Sequence, residues 1–178
     1  MGKVNEIEGD LIKLAKTGYF DVITHGCNCF CSMGAGIAVP MANTFRCDKF
    51  ELENPHYRGD IQKLGNIDYQ TFVLGKNAMW NIEDAKNRDN EPELTVVNSY
   101  SQYGFGGKFG SSSDGIPFNY SAFTMCMAKI NGVFKGKHIG LPQIGAGLAG
   151  GDWDRIKGII ETELKDCDVT IVYFNPKI

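Results

Sequence analysis

Strand-like runs alternate with helix-like runs along the chain, and glycine clusters mark several of the junctions. This order constrains the fold most, because strands separated by helices line up in one largely parallel sheet with helices laid on it. The strand-like runs are Lys3 to Glu8, Tyr19 to Thr24, Tyr69 to Leu74, Leu94 to Asn98, His138 to Pro142 and Val169 to Phe174. The helix-like runs are Asp10 to Lys16, Gly34 to Phe45, Pro117 to Lys129 and Trp153 to Leu164. Pro40 fits the first turn of its helix or a kink. Pro117 opens the third helix, and Asp152 is a good N-cap for the fourth. The 178 residues suit one domain, 1–178, with no repeat and no linker; the polar stretch Asn81 to Glu91 reads as an exposed loop or hairpin tip.

Glycine is in excess, 22 residues where an average chain carries about 7 %. The excess gathers in three loops: His25 to Gly36, Tyr103 to Ile116 and Ile144 to Gly151. Two of them follow a strand and precede a helix, where ligands of parallel sheets bind. Glycines beside the free amides of a helix start make a backbone cradle for anions. The expected ligand carries phosphate. A net charge of −3, with 18 basic against 21 acidic residues and no long basic run, argues against stable nucleic-acid binding. No apolar run approaches the ~18 residues of a membrane span, and the first residues carry no apolar signal core. A cytoplasmic protein without a membrane partner is expected, with its six cysteines as free thiols.

Several motifs match by chance. Gly145-Ala146-Gly147-Leu148-Ala149-Gly150 fits the dinucleotide fingerprint, but only one strand follows it. Asp166-Cys167-Asp168-Val169-Thr170 resembles an aspartyl-phosphatase pattern, but opens the last strand where the nucleophile belongs at a strand's carboxyl end. No cysteine is followed six residues later by arginine, and Gly107-Lys108 is followed by Phe109, so there is no Walker A loop. Cys27, Cys29 and Cys31, with His25 in register, lack the pair spacing of structural zinc sites; small soft residues filling a tight loop explain them better. His25 is structural or catalytic. Asn28 is a turn residue or a ligand to a ribose hydroxyl.

Together these segments resemble the macrodomain family of ADP-ribose-binding modules. The resemblance rests on Glu8-Gly9-Asp10-Leu11-Ile12, His25-Gly26-Cys27-Asn28-Cys29, Met33-Gly34-Ala35-Gly36-Ile37-Ala38, Leu141-Pro142-Gln143-Ile144-Gly145-Ala146-Gly147-Leu148 and the closing Tyr173-Phe174-Asn175. It implies a three-layer α/β/α fold around a mixed, largely parallel sheet. Within the family, the His-x-Cys-Asn-Cys segment, Pro-Gln-Ile-x-x-Gly up to Trp153, and Val97 to Gln102 with Phe105-Gly106-Gly107 are similar to the branch of the yeast ADP-ribose 1″-phosphate phosphatase and its phage-type relatives. His25 replaces the first Asn of the common N-A-A-N segment. Ala149, Ser99 and Tyr100 stand where the branch that removes ADP-ribose from glutamate has its Asp and Lys.

The resemblance implies roles. Asp10, flanked by Gly9 and Leu11, accepts the adenine amino hydrogen bond, unless it only caps the first helix. Phe174 covers the adenine ring, unless it is core. Loop Ser32 to Ala38, with Met33, Gly34, Ala35, Gly36 and Ile37, and loop Ile144 to Gly150, with Gly145, Ala146, Gly147 and Leu148, hold the diphosphate. Asn28 contacts the distal ribose, and His25 sits by its terminal phosphate. His25 acts as acid, base or nucleophile, assisted by Asp114 or Asp152. The implied reaction is hydrolysis of ADP-ribose 1″-phosphate by a monomer with no metal or cofactor. The competing classes are a non-catalytic ADP-ribose reader and a hydrolase freeing ADP-ribose from modified macromolecules.

Overall fold

The computed structural model describes residues 2–50, 58–74, 79–81, 92–105 and 116–178, with residues 79–81 as backbone only. In chain order the elements are β1 (Val4–Gly9), α1 (Leu11–Lys16), β2 (Val22–Asn28), α2 (Ala38–Phe45), the one-turn helices Cys47–Lys49 and Ile61–Lys63, β3 (Ile67–Leu74), β4 (Met79–Asn81), β5 (Glu93–Gln102), α3 (Tyr120–Val133), β6 (His138–Pro142), α4 (Trp153–Glu163) and β7 (Asp168–Phe174). The seven strands form one sheet in the order β1-β7-β6-β2-β5-β3-β4. The first five in that order are parallel, whereas β3 runs antiparallel to both β5 and β4. The α/β/α architecture with a mixed, largely parallel sheet is as expected.

Alternation along the strands builds the layers. Val22, Val97 and Ile171 enter one buried cluster, with Phe123, Met127 and Ile130 of α3 and Ile156 and Ile160 of α4. Their chain neighbours Ile23, Val96 and Val172 enter the other, with Leu11, Ile12 and Ala15 of α1 and Met41 and Phe45 of α2. A central strand buried on both faces reads as a continuous apolar run, as here. Each such Ile or Val stabilises the fold by about 1.5–3 kcal/mol through burial.

Local signals set the helix starts. Asp10 accepts from the amides of Ile12 and Lys13, and Asp152 from those of Asp154 and Arg155. Pro40 lies in the first turn of α2, where its missing N–H costs nothing. Pro117 does not open α3; Asn119 caps it, its Oδ1 accepting from Ala122 at 2.9 Å, and the preceding Phe118 bridges to Gln102.

Other boundaries moved as well, two of them at the loops. α2 begins at Ala38 rather than Gly34, which leaves the glycines in the loop. The run expected to end at Thr24 continues as β2 to Asn28, because β5 runs on to Gln102 and pairs His25 with Asn98, Gly26 with Ser99 and Cys27 with Tyr100. A long neighbouring strand overrides the loop propensity of glycine and asparagine. Of the polar stretch Asn81 to Glu91, only Asn81 falls among the described residues, at the end of β4.

Candidate functional site

The parallel strands β1, β7, β6 and β2 end along one edge of the sheet, and the segments after them share that edge. Residues 29–37 follow β2 and residues 143–152 follow β6, the strand beside it. The second segment leans over β2: a Cβ on Gly26 would come within 3.0 Å of Ile144 Cγ2. The crevice outside these strand ends is the usual ligand position of such sheets.

Both segments keep their amides unspent. Among the described residues, the amides of Gly34, Ala35, Gly36, Ile37 and Ala38 donate to no protein acceptor, nor do those of Ala146, Gly147 and Leu148. Space is left beside them, since a Cβ at Gly34, Gly36 or Gly147 would meet nothing within 4 Å. The second segment holds its own shape. Gly151 donates to the Gly145 carbonyl at 2.7 Å, Gly150 to that of Gly147 at 3.0 Å, and Phe118 to that of Ala149 at 3.2 Å. Gly145 has φ +76°, and a Cβ there would lie 2.5 Å from the Phe118 ring, so both conformation and space require glycine. Leu148 is exposed beside it, while Ile144 is buried.

The first segment is held by Asn28. Its Nδ2 donates to the Ser32 carbonyl at 2.8 Å, and its Oδ1 accepts from the amides of Phe30 and Ser32, both at 3.1 Å. Asn28 therefore shapes the loop, and the turn reading describes it better than a ribose ligand. Cys31, with φ 53°, begins the glycine stretch. Its thiol lies 3.4 Å from the Tyr100 hydroxyl, which donates to Asp68 at 2.5 Å. Burial raises the Asp68 carboxyl above its ordinary value, the Tyr100 hydrogen bond opposing that shift.

His25 departs from expectation. It lies inside β2, fully buried, rather than facing the ligand crevice. Its Nε2 is 2.8 Å from Asn98 Oδ1, with the thiols of Cys27 and Cys47 at 3.4 and 3.6 Å. Cys47 is in turn 3.6 Å from the Met33 sulfur, so the ring lies beneath the first glycine loop. Burial lowers its pKa from 6.5 to about 4, only partly offset by Asn98. The neutral ring does not serve as a general acid near neutral pH. Burial also raises the thiols, Cys47 to about 12, so they stay protonated.

The remaining candidates separate. Asp10 caps α1 through Oδ1, leaving Oδ2 with no partner among the described residues, between buried Gly9 and Leu11. Phe174 is 73 % exposed at the end of β7, so it is not core. Asp152 is exposed at the end of the second loop, its Oδ2 without a partner among the described residues. Trp153 packs on the cluster beneath α4 and donates to Tyr173 at 3.1 Å. Asp114 lies outside the described residues. The three alternating cysteines diverge, Cys27 to His25, Cys29 to the Gln102 carbonyl and Cys31 to Tyr100. Among the described residues no three His, Cys, Asp or Glu side chains form a group able to hold a metal ion. Sequence reasoning missed Asn98 as the partner of His25, and Asp68 and Tyr100 as supports of the loop.

No family model matches the chain. It is 31 % identical, over 97 % of each chain, to an uncharacterized 17.5 kDa protein from the tk-vs intergenic region of Enterobacteria phage T4. The chain belongs to the family of that phage protein. Among solved structures, the macrodomain of Thermus aquaticus DarG is similar with a TM-score of 0.60 at 16 % identity, over 99 % of this chain and all of that one. The fold is the macrodomain fold. Thermosipho africanus DarTG, solved in complex with ADP-ribose, is similar with a TM-score of 0.64 at 15 % identity, over 98 % of this macrodomain chain and 42 % of DarTG.

Proposed function

We propose that this macrodomain binds ADP-ribose in the crevice between residues 29–37 and 143–152, and that it hydrolyses the terminal phosphate of ADP-ribose 1″-phosphate. The unspent amides of Gly34 to Ala38 and Ala146 to Leu148 carry the reading. They offer two backbone cradles for a diphosphate at strand ends, and DarTG, part of which is similar in fold, was solved in complex with ADP-ribose. Asp10 Oδ2 accepts the adenine amino group, and exposed Phe174 covers the ring.

Phosphate release needs mainly positioning and charge stabilisation, because the transition state is loose and its charge is spread over the phosphoryl oxygens. Backbone N–H donors fixed before the reaction supply that stabilisation. Water attacks phosphorus as the phosphorus bond to the C1″ oxygen breaks, and the proton that the water gives up ends on the departing oxygen, so that ADP-ribose and inorganic phosphate leave. Asp152, through its Oδ2, activates the water. His25 acts through the first glycine loop, which it supports from beneath with Cys47 and Met33.

The burial of His25 favours one second reading, binding without turnover. Phosphate release from ADP-ribose 1″-phosphate without added metal, measured beside calorimetric titration with ADP-ribose, decides between them. Release with binding is expected. Binding without release moves the chain to the reader class or to another ADP-ribosyl substrate. Failure of both overturns the reading of the loops.

A further inference from the structure

A second cleft, of about 330 Å³, lies where the end of α2 meets β3. Phe72 on its wall pairs with Leu94, near the start of β5, so the cleft sits toward the end of the sheet opposite the glycine loops. The volume falls within the range of small-molecule sites, about 300–1,000 Å³.

Aromatic and cationic groups meet there. The rings of Phe50 and Phe72, both half-buried, are 6.3 Å apart and tilted by 34°, which leaves apolar faces for a flat ring. Arg46 and Lys49 stand at the same cleft and are exposed. Arg46 closes α2 in the left-handed conformation, φ 55°, a position that glycine or asparagine usually takes. A side chain held at that steric cost points to a use for it. The Arg46 guanidinium has no hydrogen bond, ion pair or ring contact among the described residues. Lys49 lies 3.5 Å from Asp48, and among the described lining residues Arg46 and Lys49 carry the charge, with no carboxylate on the lining. The Thr44 hydroxyl and the Gln70 amide, also on the lining, make no side-chain hydrogen bond to the described protein.

We infer that this cleft binds a free mononucleotide. The base lies against Phe50 and Phe72, and Thr44 and Gln70 meet its polar edge. The phosphate takes the forked donors of Arg46 with support from Lys49. The inference does not rest on the reading of the glycine loops.

Amide chemical shifts of the whole chain, followed during titration with adenosine monophosphate, test it. The expected result is saturable shifts at Thr44 to Phe50 and Gln70 to Phe72, with adenosine and inorganic phosphate each binding there at least about tenfold more weakly. The double variant Arg46→Gln with Lys49→Gln, at two exposed positions, is expected to weaken the same shifts about tenfold while the rest of the spectrum stays in place. Absence of shifts at these amides, shifts confined to the glycine loops, or equal affinity in the double variant overturns the inference. Occupancy of the loops is read from their own amides, so the two sites fail or succeed separately.

Discussion

His25 Nε2 lies 2.8 Å from Asn98 Oδ1, and both side chains are fully buried. The other end of the Asn98 amide donates to the Cys47 carbonyl at 2.9 Å. A carbonyl only accepts, so Nδ2 faces Cys47 and Oδ1 faces the histidine. Nε2 must then carry the proton, and the neutral ring keeps a lone pair on Nδ1, a buried atom without a partner among the described residues. The arrangement ties β2 to β5 and to the turn after α2.

Acid should therefore loosen the fold through His25. Its folded pKa, about 4, lies below the ordinary 6.5, so the unfolded chain binds the extra proton between those values. The sign follows: His25's contribution is complete above about pH 6.5 and is lost as pH falls toward 4, up to roughly 3 kcal/mol. Urea midpoints measured across this window should drop in the wild type and flatten in His25→Gln. An equal acid slope in the variant would assign the loss to other groups.

Asn98→Leu should cost about 2–4 kcal/mol, because it leaves two buried partners, the His25 ring and the Cys47 carbonyl, unpaired. Asn98→Asp should raise the His25 pKa, seen in an imidazole titration by proton NMR, since a neighbouring carboxylate favours the charged ring. An unmoved titration would show that the two side chains do not pair in solution.

Glycines of the second loop should divide by what surrounds them. Gly145→Ala should destabilise the protein by about 2 kcal/mol or more, through its φ of +76° and the Phe118 ring 2.5 Å from the new Cβ. Gly147→Ala has open space, so stability should stay within about 0.5 kcal/mol while ADP-ribose binds about tenfold more weakly. Calorimetry with ADP-ribose beside thermal melts checks both. Undiminished binding in Gly147→Ala would remove this loop from the ligand site.

Asp152 combines a helix cap with the proposed activation of water, and two variants separate these. Asp152→Asn keeps a capping oxygen, so stability should hold while phosphate release falls by about a hundredfold. Asp152→Ala should lose both, with about 1 kcal/mol of stability. Release within about threefold of wild type in Asp152→Asn would leave the residue as a cap alone.

Phe174 is 73 % exposed, so Phe174→Ala should change stability by less than about 1 kcal/mol. If the ring stacks on adenine, ADP-ribose affinity should fall about tenfold, the usual weight of one base on an aromatic face. Unchanged affinity would place the adenine elsewhere.

What the sequence by itself determined is local. Asp152 before Trp153, Pro40 inside a first turn and the short run His138 to Pro142 announce their elements through capping, a fixed φ and apolar continuity, which act over a few residues. The glycines around Ala35 and Gly147 likewise announce backbone cradles at strand ends. The tertiary structure decided what depends on distant pairing. Loop-prone residues from His25 to Asn28 became strand because β5, some seventy positions on, extends its ladder past them. That pairing, with α2 folded back above, took His25 out of water, lowered its pKa and made it a support beneath the loop. Asp68 and Tyr100 joined through neighbouring strands of opposite direction. Burial and long-range hydrogen bonds set these properties, and neither is written in the residues adjacent to them.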